Sequence, residues 1–194
     1  MKKIGSLLVI SLFTLSAFAQ SGAERDFAIK YLMATQQEIV NSAQDLSDEA
    51  WNYTPEAGGW SASNCLEHIL VTEQAFFGMI QGMLQGEADE SLDMSGADGV
   101  LIGTIANRGT KVTTAPQFEP SGKWDTKDDM LNALKESRTQ IIDFLKSNDA
   151  NMRHHKGEIP LGEVDAYQIV LLIAGHSQRH THQMKEVLGE YQAM

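Results

Sequence analysis

The segment that most constrains the fold is residues 171–188, LLIAGHSQRHTHQMKEVL. Apolar residues recur at helical spacing in and just before this segment, which predicts one buried stripe on a long helix: Ile169, Leu172, Ile173, Met184 and Val187. His176 and His180 fall on the same stripe, one helical turn apart. Unpaired buried polar groups are costly, so both imidazoles need partners. Two imidazoles at this spacing are also a common helical way to hold one transition metal.

Residues 1–19 have the pattern of a secretory signal peptide. Lys2 and Lys3 supply a short positive start, residues 4–18 are mostly apolar, and residues 17–19 read Ala-Phe-Ala, a small-x-small cleavage site. The segment is too short and wrongly flanked for a spanning helix, and the alternative interpretation is an uncleaved N-terminal anchor. We therefore expect an exported protein, periplasmic or secreted, whose mature chain starts near Gln20 and keeps no stable membrane span.

The mature chain, residues 20–194, has the length of one domain with a sizeable core. The formal net charge of the full chain is -11, and it becomes -13 once Lys2 and Lys3 are removed, because residues 1–19 hold no other charge. A strongly acidic, exported chain is a poor candidate for nucleic-acid binding, so we expect no nucleic-acid partner. Cys65 is the only cysteine, which excludes an internal disulfide.

Four amphipathic segments predict an all-α fold, a four-helix bundle. The predicted helices cover residues 24–44, a second segment from a Ser61 or Ser63 cap to about residue 85, residues 127–146 after a Thr126 cap, and residues 164–188. The expected inner face of the first is Phe27, Tyr31, Ala34, Ile39 and Ala43. The expected inner face of the second is Cys65, His68, Thr72, Ala75, Phe76 and Met79. No stretch alternates convincingly as a strand.

A long, glycine-rich connection over residues 86–124 separates the second and third helices. A short helix is expected within it, near residues 100–106. Connections of this length in a compact domain are usually functional lids or packed crossovers. We therefore expect this segment to shape any pocket of the domain.

His68 lies in the middle of the second helix, on its expected inner face. If that helix packs beside the last one, His68 meets His176 and His180. Three neutral imidazoles with a fourth position left to water form an open, catalytic type of metal site, and zinc, nickel and ferrous iron all suit imidazole. The competing interpretation is that the three histidines are hydrogen-bonded core residues.

Other residues compete with this triad for a role in metal binding. His182 is two residues past His180 and is expected to face solvent. His154 and His155, with Glu158, lie in a polar connection where they would hold a metal only loosely. Cys65, one turn before His68, supplies either a thiolate ligand or a small buried apolar residue.

Several polar residues near the triad have two interpretations each. Gln183 either orients a histidine or satisfies a core hydrogen bond. Arg179 either pairs with an acid such as Glu73 or holds an anionic substrate. Glu67 and Glu73 are candidate general bases but are expected to be ordinary helix-surface acids. Gly175 costs about 1 kcal/mol against Ala in a helix, which indicates a close approach by a neighbouring helix or ligand.

The chain resembles the DinB/YfiT-like superfamily of metal-dependent four-helix bundles. The order and spacing of the matching pieces extend over residues 24–188: Trp60-Ser61, His68, Pro160-Leu161-Gly162 and His176-x-x-x-His180-x-x-Gln183 with Arg179. One departure is Asn64, where an acidic residue is common in relatives. The resemblance implies that His68, His176 and His180 bind a divalent metal. It also implies an up-up-down-down helix order and a homodimer.

The resemblance implies two enzymatic functions, both acting on a small molecule. Relatives include metal-dependent hydrolases and transferases that use low-molecular-weight thiols, so either activity is expected. The chain shows no obvious Ser/His/Asp nucleophile set, which leaves the metal as the catalyst. The alternative is a metal-binding or interaction module without turnover, because membership of a family does not fix a function.

Overall fold

The computed structural model describes the backbone of residues 14–194 and the side chains of residues 22–194. The proposed signal peptide therefore lies outside the described side chains. The helices are α1 (Thr14–Ala43), α2 (Asp48–Asn52), α3 (Ala62–Met83), α4 (Asp98–Ala106), α5 (Lys127–Ser147) and α6 (Ala166–Gln192). The strands are β1 (Lys156–Ile159) and β2 (Gly162–Asp165). Within the described part of the chain, no helix is both long and apolar enough to cross a membrane.

The four long helices pack in the cyclic order α1, α6, α3, α5. This confirms the predicted four-helix bundle and places α3 beside α6. Tyr31 bonds Gln178 and Glu38 bonds Lys185, so α1 and α6 run in the same direction. Helix α5 runs the opposite way, because Lys127 at its start donates to the carbonyl oxygen of Leu46, just after α1.

Helix α3 runs with α5 and against α6. Glu73 accepts a hydrogen bond from Ser137, and four residues later Phe77 packs edge-on against Phe144. The helices therefore run up, down, down, up in chain order, which corrects the up-up-down-down order that the resemblance implied. The connection between α1 and α3 joins ends at the same side of the bundle, whereas residues 84–126 span its length and let α5 repeat the direction of α3.

The core consists of two apolar clusters separated by a polar layer. One cluster contains Leu32, Phe77, Ile80 and Ile141, and the other contains Ile39, Leu66, Leu70 and Leu134. The layer between them holds buried polar side chains from all four long helices: Thr35, Thr72, Glu73, Arg138 and Ser177. Such a layer is tolerated only where its polar groups find partners.

The buried face of α1 differs from the expected one. The core residues are Ala28, Leu32, Thr35, Ile39 and Ala43, whereas Phe27 and Ala34 are exposed. Over residues 28–35 the buried stripe lies one residue further along the chain than expected. Leu32 and Thr35 in this stretch face α5, where both accept hydrogen bonds from Arg138.

Local capping fixes where the long helices begin. Ser61 caps α3, and the side chain of Asn64 bonds back to the Ser61 backbone, so Asn64 completes a capping box in place of an acid. Thr126 caps α5 as expected, accepting from the backbone N–H of Asp129. These caps support the predicted starts of the second and third bundle helices.

The hairpin before α6 was missed by the sequence analysis, which placed no strand in the chain. Strands β1 and β2 pair antiparallel around a turn at Pro160 and Leu161, with Ile159 opposite Gly162. Each strand has only four residues, and Val164 is the one buried apolar side chain in the pair, so the hairpin lacks the apolar alternation that identifies longer strands. The hairpin delays the start of α6 to Ala166, where Asp165 provides the cap.

Candidate metal centre

Helices α3 and α6 bring the three predicted histidines together. His68 comes from α3, and His176 and His180 come from successive turns of α6. One ring nitrogen from each lies within 4.8 Å of those of the other two. His68 and His180 are buried and His176 is partly exposed. The antiparallel packing of the two helices therefore assembles a site that neither helix contains alone.

Each imidazole uses Nδ1 as a hydrogen-bond donor to the protein. His68 Nδ1 lies 2.7 Å from the carbonyl oxygen of Phe118, and His180 Nδ1 lies 2.9 Å from Gln183 Oε1. His176 Nδ1 lies 3.3 Å from Thr72 Oγ1. The Thr72 hydroxyl donates its own proton to the His68 carbonyl oxygen, 2.7 Å away, so it accepts from His176. The three Nε2 atoms are left with free lone pairs.

The resulting arrangement fits a divalent cation. His68 Nε2 and His176 Nε2 face each other at 3.1 Å, although neither carries a proton in these tautomers. Two lone pairs at this distance repel unless a cation lies between them. Two nitrogens bound tetrahedrally to one ion at about 2.0–2.1 Å lie roughly 3.3–3.4 Å apart, close to the observed separation. The donor set suits zinc, nickel or ferrous iron.

Burial keeps the three rings neutral. Desolvation, followed by repulsion from His180 and His68, lowers the pKa of His176 well below its ordinary value. Desolvation and the proximity of His68 lower the pKa of His180 to about 3. Desolvation also lowers the pKa of His68, against the hydrogen bond to Phe118. The rings are therefore in the protonation state that metal ligation requires at neutral pH.

Aromatic rings surround the histidines. The Trp60 ring centre is 4.7 Å from that of His68 and 5.7 Å from that of His180. Phe76 packs edge-on against His176, with ring centres 6.0 Å apart. These contacts limit the orientations of the imidazoles and make the surroundings of the Nε2 atoms largely apolar.

The long connection packs over this part of α6. A Cβ atom at Gly175 would lie 2.8 Å from Ile105 Cγ2, so α4 approaches too closely for a side chain there. Arg179 donates to the carbonyl oxygens of Asn107 and Thr110, which hold the segment after α4 in place. The expected close approach at Gly175 and the expected short helix are confirmed, and of the two alternatives for the long connection, a lid or a packed crossover, α4 packs as a crossover.

The family model of the DinB superfamily matches residues 31–184. This chain belongs to the DinB superfamily. The matched segment contains all three histidines and most of the bundle, so the family and the histidine centre concern the same domain.

The DinB fold is also found in a solved structure that resembles this chain. YfiT from Bacillus subtilis, described as a probable metal-dependent hydrolase with an unusual four-helix bundle topology, is 12% identical with a TM-score of 0.64. The match covers 98% of this chain and 94% of that one. At this identity the likeness shows the fold. The comparison with curated proteins finds no match.

Four of the competing metal ligands, all within the described residues, are not part of the histidine centre. Cys65 is fully buried, burial raises the pKa of its thiol to about 12, and it is absent from the cluster, so it is a small core residue. His182 lies beside Glu38 on the outer side of α6 with a side chain 42% exposed. His154 and His155 also lie outside the cluster, near the hairpin.

Gln183 has the expected orienting contact with His180, and Arg108 extends it. Arg108 Nη1 donates to Gln183 Oε1 at 3.3 Å, and its Nη2 pairs with Glu186 at 2.8 Å. The guanidinium holds the Gln183 amide with its oxygen toward the imidazole. The sequence gives little indication of this partner, because Arg108 lies in the crossover segment, 75 residues from Gln183.

Of the two interpretations of Arg179, the pairing with Glu73 is wrong. Glu73 is buried and pairs with Arg138 of α5, whose Nε lies 2.9 Å from its carboxylate. Arg138 also donates to Ser177, which follows His176 on α6. The helices place Glu73 toward α5, whereas Arg179 points to the crossover.

The prediction that Glu67 is a surface acid is also wrong, because the residue is buried. Its carboxylate accepts hydrogen bonds from the backbone N–H groups of Ser121, Gly122 and Lys123. Burial tends to raise the pKa of Glu67, but these bonds outweigh it and lower the pKa. A carboxylate fixed in this way is a poor general base. Gly122 in a polar loop was the only sequence signal for this turn.

Proposed function

We propose that this chain is an exported, divalent-metal-binding DinB protein that acts as a hydrolase on a small molecule. The observation that carries the proposal is the convergence of His68 Nε2 and His176 Nε2, 3.1 Å apart, with a ring nitrogen of His180 in the same cluster. A bound divalent ion with an open position would polarise a carbonyl group and lower the pKa of water toward neutrality.

The residues of this chain prepare the site before any ion binds. Oxygen atoms of Phe118, Thr72 and Gln183 lie within hydrogen-bond distance of the three Nδ1 atoms and so favour the tautomers that leave Nε2 for an ion. Partners of this kind typically strengthen metal binding and orient the ligands. Trp60 limits the access of water to one side of the imidazoles.

Thiol-dependent transfer is the second enzymatic possibility within the same proposal. The same open position would hold a thiolate in place of water. We favour hydrolysis because export would separate the protein from the cytoplasmic thiol pool. The description of YfiT as a probable metal-dependent hydrolase supports the same choice.

A non-catalytic metal-binding or interaction module is the alternative function. This alternative is favoured because both acids that were candidate general bases are already bound to other groups of the protein. Glu67 is bound to backbone amides and Glu73 to Arg138, so neither is free to transfer a proton. A hydrolase of this architecture would need a proton acceptor other than these two carboxylates.

The proposal includes three properties that concern the protein in its cellular setting. Export rests on residues 1–19, and mass spectrometry of the native protein should show a chain that starts near Gln20.

A homodimer is supported by the exposed Phe27 and Met33 on α1. Analytical ultracentrifugation at micromolar concentration tests it, and a monomer would reject it. No nucleic-acid partner is proposed, given the acidic composition.

The experiment that tests the function combines metal analysis with turnover. The purified protein is analysed for bound metal, chelated, and assayed with a panel of small esters and amides and with a thiol plus an electrophile. We expect hydrolysis that disappears on chelation and returns with one metal. Thiol transfer with the same dependence would select the second activity, and bound metal without turnover would select the module. Absence of metal from the wild type, even after incubation with zinc, nickel and ferrous iron, would reject both activities and the metal-binding module, and would select an interaction module.

A further inference from the structure

Two consecutive side chains of α3 hold the same short segment of the crossover. His68 Nδ1 donates to the carbonyl oxygen of Phe118, 2.7 Å away. Glu67 accepts from the backbone N–H groups of Ser121 at 2.8 Å, Gly122 at 3.1 Å and Lys123 at 3.0 Å. The Ser121 hydroxyl donates to the same carboxylate at 3.3 Å. We call residues 118–123 the Glu67-bound segment.

The carboxylate of Glu67 is an expensive group to bury. Only 1% of the residue is exposed, and hydrogen bonds to backbone amides provide its compensation. Three successive N–H groups can converge on one carboxylate because Gly122 adopts a φ of 77°, a conformation that favours glycine. The arrangement is therefore specific to the backbone shape of this segment.

The Glu67-bound segment has few other attachments. Residues 115–117, 119 and 121–123 are exposed, and Phe118 is only half-buried. The other side-chain hydrogen bond to it, among the described residues, joins Lys123 to Gln74 at the surface. A 3₁₀ turn, Pro116–Phe118, shapes the chain locally, and the Glu67 carboxylate is the buried side chain that holds the residues just after this turn against α3.

We propose that Glu67 is a positioning residue for the metal centre: by holding residues 121–123 it keeps the Phe118 carbonyl group on His68 Nδ1 and leaves His68 Nε2 free for the ion. The proposal rests on the metal-binding function proposed above. Without this acceptor, His68 exchanges between two neutral tautomers, and the one with the proton on Nε2 does not bind metal at that atom. Glu67 thus acts on the metal through the backbone of the crossover.

The test is the zinc affinity of the purified protein, measured by competition with a chromophoric chelator. Glu67→Ala removes the carboxylate that accepts from the backbone of residues 121–123. We expect zinc binding weaker by about 10-fold or more, the effect typical of residues that support a metal ligand. Glu67→Gln keeps one oxygen for the amides of Ser121 and Lys123, so its loss should be smaller. Gly122→Ala disturbs the same contact from the other side and should weaken zinc binding while Glu67 remains in place.

A purely structural role for Glu67 is tested separately. Ile80→Val truncates a fully buried residue in the cluster on the far side of the polar layer and serves as a stability-matched control. It should leave zinc affinity unchanged. In metal-free protein, nitrogen NMR should show that Glu67→Ala alters the tautomer of His68 and leaves that of His180, which is held by Gln183, unaltered.

The outcomes separate this inference from the function on which it rests. Weaker zinc binding in Glu67→Ala and Gly122→Ala, with a changed His68 tautomer and an unaffected Ile80→Val, supports it. Wild-type zinc affinity in Glu67→Ala, or an equal loss in Ile80→Val, overturns it while metal binding by the wild type stands. A wild type that binds zinc no better than His176→Ala overturns both.

Discussion

The polar layer of the bundle contains two clusters that share helices but differ in chemistry. The histidine centre uses His68 of α3 and His176 of α6, and the ionic cluster uses Glu73 of α3 and Ser177 of α6. In the ionic cluster, Arg138 bonds side chains or carbonyl groups of the other three long helices. In the histidine centre, the protein satisfies the Nδ1 atoms and leaves the Nε2 lone pairs unmatched.

This difference distinguishes a structural polar cluster from a binding site. Arg138 and Glu73 are both fully buried, and they compensate one another, so nothing from outside is required. Three neutral imidazoles carry no charge to compensate, yet their free lone pairs repel one another unless a cation is bound. Burial is thus common to both clusters, and internal compensation separates them: the ionic cluster pairs a buried cation with a buried anion, whereas the histidine centre leaves ring nitrogens facing one another.

The largest expected effect is on the ionic cluster. Glu73→Ala leaves the Arg138 guanidinium buried without its counter-charge, and we expect a loss of about 3–5 kcal/mol in the free energy of unfolding. Chemical denaturation of the metal-free protein measures it. Glu163→Ala, which removes an exposed partner of Lys156, is the control and should cost less than about 1 kcal/mol. A loss of that small size in Glu73→Ala would contradict the structural role of the ionic cluster.

The second effect concerns the histidine centre and should depend on metal. Zinc at about 100 times its dissociation constant should stabilise the wild type by about 2.7 kcal/mol. His176→Ala should abolish this stabilisation, because it removes one of three ligands. Thermal unfolding with and without zinc measures the difference. His182→Ala, on the outer side of the same helix, should keep the full zinc effect. Equal zinc effects in all three proteins would show that these histidines are packing residues.

The third effect is a pH dependence of the metal-free protein. Folding lowers the pKa of His180 from its ordinary value of 6.5 to about 3, so the unfolded chain binds more protons below pH 6.5 and stability falls as the pH falls. Each such histidine contributes a slope of up to about 1.4 kcal/mol per pH unit. Urea unfolding between pH 6.5 and 5 should show a shallower slope in His180→Gln than in the wild type. Identical slopes would contradict the buried, neutral state of His180.

The smallest effect is expected for Gly175→Ala, at the point where α4 meets α6 beside His176. A methyl group there would overlap Ile105, although alanine also favours the helix by about 1 kcal/mol. We expect a net loss of about 1 kcal/mol and faster release of zinc, because α4 is displaced from the histidine side of the layer. Stopped-flow chelation measures the release. Gly189→Ala, where the added methyl group meets open space, is the control.

The bundle and the histidines could be predicted because their signals are local. An apolar stripe and a histidine pair at i and i+4 can both be recognised within a few turns of one helix. The sequence therefore determined that α6 is a buried helix with His176 and His180 on one face. The same periodicity placed His68 on the inner face of α3. Caps such as Ser61 and Thr126 are equally local, and they were found at the expected places.

The tertiary structure alone decided which polar groups became partners. Glu67 and Ser121 are 54 residues apart, and Arg108 and Gln183 are 75 apart. No local pattern links such residues, since their contact depends on the direction of α3 and α5 and on the path of the crossover. For the same reason, the sequence did not distinguish the Arg138–Glu73 pair from a surface contact. Helical periodicity specifies which face of a helix is buried, whereas the packing of the four helices specifies what that face meets.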